Sequence, residues 1–180
     1  MKHIRLPLLS LLACLAGTAS LRAQQPAPTP KEVKIQQVTV EAAALPGSNR
    51  QWVKVVASFQ TSPKWADGIA FNYTVLLGSD KNFRVLQGIA RYANVKGGVS
   101  RAVMYISPNT AERFGPPVAA TVRAFYKDDL ADEASYRGPG NIPANWERQF
   151  DKYPGLLLNV LQTPWFAYDY ANSPDIFATQ

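Results

Sequence analysis

Trp52-Val53-Lys54-Val55-Val56-Ala57-Ser58-Phe59 and, beyond a connection bearing Pro63 and Gly68, Ile69-Ala70-Phe71-Asn72-Tyr73-Thr74-Val75-Leu76-Leu77 decide the fold. In the first run Val53, Val55, Ala57 and Phe59 share one parity; in the second, Ile69, Phe71, Tyr73, Val75 and Leu77 do. Successive side chains of a strand point to opposite faces, so a period of two predicts half-buried antiparallel strands.

The same pattern extends outward on both sides. Upstream, Val33 and Ile35 lie on one parity and Val38, Val40 and Ala42 on the other. The switch at Gln36-Gln37 predicts a β-bulge, or a strand that passes between sheets. Downstream, 78–82 reads as a hairpin-type turn into a strand over 83–92, with Phe83, Val85 and Ile89 on one face and Leu86, Ala90 and Tyr92 on the other. After Gly97-Gly98, Ala102, Met104 and Ile106 alternate with Arg101, Val103 and Tyr105. Residues 108–114 suit one helical turn that Gly115-Pro116-Pro117 stops. The run 118–126 then points Val118, Ala120, Val122, Ala124 and Tyr126 inward. Six strands with Gly/Pro turns and no long helical period predict an all-β fold, an antiparallel β-sandwich with one or two short helices.

The last third is less regular. The acidic run 128–136 reads as a loop or a short helix, and 145–153 as a short amphipathic helix carrying Trp146, Phe150 and Tyr153. The apolar run 156–161 reads as a buried strand, and an aromatic extension follows at 163–170.

Lys2, His3 and Arg5 precede an apolar run and then small residues, which predicts a secretory signal peptide over 1–23. Leu11-Leu12-Ala13-Cys14 resembles a lipobox and offers lipidation at Cys14 as the alternative processing. The alternating prolines of 24–31 form an extended tether, leaving one domain over 32–180. Export places the protein in the periplasm, at the outer-membrane surface or outside the cell. Cleavage after Ala23 leaves 157 residues, and a domain of that size buries roughly 70% of its unfolded surface without crosslinks. It also removes Lys2, Arg5 and Arg22 but no acid, lowering the formal charge from +6 to +3. So mild a balance, with no run of like charges, argues against nucleic acid and against a polybasic membrane surface. No mature stretch has the length and apolarity of a transmembrane helix.

The chemistry is bounded by what is missing. His3 and Cys14 are the chain's one histidine and one cysteine, and both fall in the signal peptide. Ser-His-Asp and Cys-His catalysis are thereby excluded, along with the commonest transition-metal ligands. Asp128, Asp129, Asp132 and Glu133 lack EF-hand spacing. Asp67, Glu147, Asp151 and Asp169 are candidates for a glycosidase pair only by lying near aromatic residues. The expectation is therefore no enzyme, no metal and no cofactor. Candidate binding residues are the aromatics Trp65, Trp146, Trp165, Phe166, Tyr168 and Tyr170. Buried, they are core; exposed, they anchor a protein partner or stack on a glycan.

The signal peptide, the proline-rich tether, the strands around Trp52 and Phe71, and the tail Pro154-Gly155-Leu156-Leu157-Leu158 with Thr163-Pro164-Trp165 together resemble a small exported protein of Verrucomicrobia such as Akkermansia. In those bacteria it is encoded beside type IV pilus genes. The resemblance implies an immunoglobulin-like sandwich linked to pilus formation or the cell surface, without enzymatic activity. It carries over no binding residues, and the paired cysteines of antibody-type domains are absent from this chain. Protein partners in the pilus or cell envelope, or a homo-oligomer, are the expected contacts, with a carbohydrate-binding module as the alternative.

Overall fold

The computed structural model describes residues 32–78, 82–169 and 175–177. The expected signal peptide and tether, and Tyr170, lie outside the described residues. In chain order the strands are β1 (Val33–Ala44), β2 (Gln51–Ala66), β3 (Ile69–Leu77), β4 (Arg84–Ala93) and β5 (Val95–Ile106), followed by helix α1 (Pro108–Phe114). Then come β6 (Pro117–Tyr126), β7 (Asp129–Arg137), helix α2 (Trp146–Gln149), β8 (Lys152–Pro154) and β9 (Leu157–Leu158). A 3-10 turn (Val160–Gln162), helix α3 (Phe166–Asp169) and β10 (Asp175–Phe177) complete the described chain. No helix among the described residues is long and apolar enough to cross a membrane.

The strands form two sheets, β1-β2-β5-β9 and β10-β4-β3-β6-β7, packed as an all-β sandwich. The two runs that announce the fold belong to different sheets. β2 pairs with β1 and β5, whereas β3 pairs with β4 and β6. Asp67 and Gly68 between them make a corner, not a hairpin: Gly68 takes a left-handed φ of 70°, and Asp67 Oδ1 accepts the Asn94 N–H at 2.7 Å. Asn94 joins β4 to β5, so one hydrogen bond stitches both passages between the sheets. β2 and β3 instead meet across the core, where the rings of Phe59 and Phe71 lie 4.7 Å apart.

The inward parity is as the alternation predicts, with Val55, Ala57, Phe59, Ile69, Phe71, Tyr73, Val75 and Leu77 all buried in one cluster. The predicted bulge of β1 is a register shift between Ile35 and Gln37. The N–H of Ile35 there donates to Asp132 Oδ2 at 2.8 Å, tying β1 to β7 across the open side of the sandwich. Sheet β10-β4-β3-β6-β7 is covered on its other face too, where Leu76, Phe83, Val85, Ala119 and Trp146 form a second cluster.

Several local expectations are corrected. The acidic run after Tyr126 is the edge strand β7, because Lys127 (φ 52°) and Asp128 (φ 68°) form a tight left-handed turn that folds it back on β6. Val118 turns outward to the second cluster, since the register against β3 shifts just before it. The helix over 145–153 is one turn, Trp146–Gln149, and residues 152–154 pair in parallel with β4, so the sheets are not wholly antiparallel. The strand over 156–161 shrinks to Leu157–Leu158 before the 3-10 turn. Ten strands and three short helices are found among the described residues, against seven strands, counting the one over 156–161, and one or two helices expected. Helix α1 forms where expected: Pro108 opens it, Ser107 Oγ accepts the Thr110 N–H at 3.3 Å, and Gly115 (φ 89°) ends it.

Candidate functional site

The five candidate aromatics among the described residues do not converge on one site. Trp146 is 6% exposed and serves the second cluster, wedged against Leu76, Phe83 and Ala119. Trp165 is 7% exposed and packs with Tyr105 and Val160 on the outer face of sheet β1-β2-β5-β9. Trp65 stands 55% exposed at the far end of β2, opposite Lys96 of β5. Phe166 and Tyr168 are exposed on α3, beside Trp165.

Three of the five, Trp165, Phe166 and Tyr168, therefore share one segment that crosses that outer face. Its position follows from β2 and β5. Once Val53, Val55, Met104 and Ile106 face the core, Trp52, Lys54, Val103 and Tyr105 must face out. Tyr105 stacks on Trp165 at 6.1 Å and 20°, Lys54 Nζ sits 3.9 Å from the centre of the Trp165 ring, and Tyr168 meets that ring edge-on at 6.3 Å. With Tyr105 and Lys54 both against it, the Trp165 ring offers no platform to a sugar. The 3-10 turn that delivers it is fixed by a reciprocal cap, Asn159 Oδ1 accepting the Gln162 N–H and Gln162 Oε1 accepting the Asn159 N–H.

The residues that sequence reasoning missed lie on β5. Its partner away from β2 is β9, which covers Tyr105 and Ile106 alone. The next outward-directed amide, Val103 N–H, donates to the buried Tyr92 Oη at 3.2 Å. In an antiparallel ladder every second residue directs its N–H and C=O to the same side. Val99 and Arg101 therefore point the same way as Val103, and among the described residues nothing pairs with their backbone there. Val99 is 66% exposed. The available signal was Val99, Val103 and Tyr105 in one outward parity, which leaves an apolar side chain where a solvated face would carry a polar one.

Four of the candidate carboxylates are engaged structurally. Asp67 closes the corner and Asp132 the bulge. Arg123 Nε donates to Glu133 at 2.6 Å and its Nη2 to Glu147 at 2.9 Å. Partial burial works against both charges of the second pair. Hydrogen bonds from Thr121 and Arg123, with the charges of Arg123 and Lys152, nonetheless hold the Glu147 carboxyl below its ordinary value. Burial pulls the Arg123 guanidinium down, but its hydrogen bonds to Glu147 and Glu133 and their charges raise it above its ordinary value. In the core, burial pushes Tyr92 up to about 12 and Tyr73 well above its usual value. No group of three or more His, Cys, Asp or Glu among the described residues is arranged to hold a metal ion.

The molecule is thus an all-β sandwich whose aromatic candidates divide between core and rim, with the edge of β5 beyond β9 left unpaired among the described residues. No family model matches the sequence, and no curated protein sequence does. A crystal structure from Akkermansia muciniphila is similar in fold, with a TM-score of 0.66 at 17% identity, covering 82% of this chain and 94% of that one. At that identity the likeness establishes a common fold.

Proposed function

We propose that the mature chain is an exported, non-enzymatic, immunoglobulin-like sandwich that acts by protein contact in a pilus-linked or cell-envelope assembly. The observation that carries this reading is the open edge of β5 at Val99 and Arg101, beside an exposed Val99 side chain. An unpaired edge offers a row of backbone donors and acceptors to an added strand, and the protruding side chain supplies the apolar contact. The signal-like N-terminus and the lack of histidine and cysteine in the mature sequence support export and contact over catalysis.

Mature protein carrying an affinity tag should retain a pilus or envelope protein from the cell-envelope fraction. Val99→Lys with Arg101→Pro should abolish that retention while leaving the circular dichroism spectrum unchanged, because neither position bonds to β2 through the altered group. Retention that survives both changes, or a glycan array that reports binding lost on Trp65→Ala, would overturn the proposal.

A further inference from the structure

A second surface lies on the outer face of the other sheet, away from the β5 edge. The hairpin β6–β7 forms its floor and α2 one wall, enclosing an open depression of ≈ 420 Å³. The floor is charged and internally paired. Arg123 is held between Glu133 of β7 and Glu147 of α2, and Thr121 braces Glu147. Arg137 and Arg148 line the same depression from its two sides, and their guanidinium groups have no partner among the described residues. Three arginines against two carboxylates leave the lining with one surplus positive charge. Lys152 lies close enough to act on Glu147 as well. The hydroxyl of Ser135 and the amide of Asn145 add uncharged donors.

We propose that this groove binds the oxyanion group of a small ligand, a sulfate or phosphate ester or a carboxylate, between Arg137 and Arg148. Guanidinium forks match the paired oxygens of such groups, and a concave wall concentrates the field of the surplus charge. Arg123 does not serve as the anchor, since its charge is already matched by two carboxylates. It fixes α2 over the hairpin, and so sets the spacing of the two arginines that remain. An uncharged sugar would leave both of those guanidinium groups unpaired. A polyanion the length of a nucleic acid would need far more than the +3 of the mature chain.

The test is an amide NMR titration of the mature protein with sodium sulfate, sodium phosphate and sodium glucuronate, each against sodium chloride at equal ionic strength. Saturable shifts at 135–137 and 145–148 are expected, in the millimolar range. A response to sulfate and phosphate alone would assign the ester class, and a response to glucuronate the carboxylate class. Arg137→Ala with Arg148→Ala should weaken binding by about tenfold or more. Arg148→Glu alone, on an exposed position of a one-turn helix, should do the same. Both variants should unfold at the wild-type midpoint, since the altered side chains are exposed and unpaired. Shifts that equal those of chloride, or that survive in either variant, would overturn the assignment.

Discussion

Replacing Trp165 by alanine separates a structural tryptophan from a binding one. A buried Trp→Ala change costs about 3–5 kcal/mol when the site cannot collapse. Two features of Trp165 lower that figure. Its Nε1 is buried with no hydrogen-bond partner among the described residues, a burden of about 1–3 kcal/mol that alanine relieves. It also belongs to the outer-face cluster with Tyr105 and Val160, separate from the inner core, so its loss leaves the inner core intact. The expected net loss is about 1–3 kcal/mol, with Tyr105 and Trp52 newly exposed. Trp165→Phe keeps a ring between Tyr105 and Lys54 and removes the orphaned donor, so it should stay within about 1 kcal/mol of wild type. Trp65→Ala, at an exposed position, should fall within about 0.5 kcal/mol. Urea denaturation followed by far-UV circular dichroism reads all three. The reasoning fails if Trp165→Ala costs less than about 1 kcal/mol, or if alanine and phenylalanine behave alike.

The buried tyrosines make the fold sensitive to alkali. Their folded values lie above the unfolded value of about 10, so their stabilisation is complete below that pH and is lost as the pH rises toward the folded value of about 12 for Tyr92. Unfolding free energies measured from pH 8 to 12, with absorbance at 295 nm, should show these tyrosines ionising only as the protein unfolds. Glu147 has the opposite sign: its lowered value adds stability at neutral pH that disappears as the pH falls through it. Glu147→Gln should remove that acid-side slope, by no more than about 1 kcal/mol because both partners are partly solvated. Asp132→Ala leaves the Ile35 N–H at the bulge without its acceptor. It should cost about 1–3 kcal/mol and speed hydrogen exchange at Ile35 above that at its neighbours.

The strand alternation was legible because its cause is local. Val55, Ala57 and Phe59, like Phe71, Tyr73 and Val75, face a core whatever their sheet partners are. The Gln36-Gln37 bulge was legible for the same reason, since a parity switch shows within a few residues. What decided the topology was not local. Asp67-Gly68 reads equally as a hairpin turn or a corner, and the hydrogen bond to Asn94, 27 residues on, selects the corner. β7 was misread because its turn uses Lys127 and Asp128, not the Asn-Gly or Asp-Gly that usually announces left-handed geometry. An edge strand with a solvated face also tolerates its acidic residues. The leucine run 156–161 has no period of its own, so its division into β9 and a 3-10 turn depends on the reciprocal Asn159–Gln162 cap. The candidate site was the least legible part. An aromatic residue carries no mark of its own exposure, and Trp65, Trp146 and Trp165 differ only in what the fold lays over them. The open edge of β5 exists because β9 ends after two residues, a length the sequence does not announce.

The claim that β5 is a protein-contact edge is tested most directly inside the cell that makes the protein. A photo-crosslinking residue at Val99, with Leu130 on β7 as an exposed control, would be activated in growing cells and the adducts identified by mass spectrometry. A specific adduct to a pilus or envelope protein from position 99, and none from position 130, is the predicted result. No adduct from position 99, or the same adducts from both positions, would contradict the account.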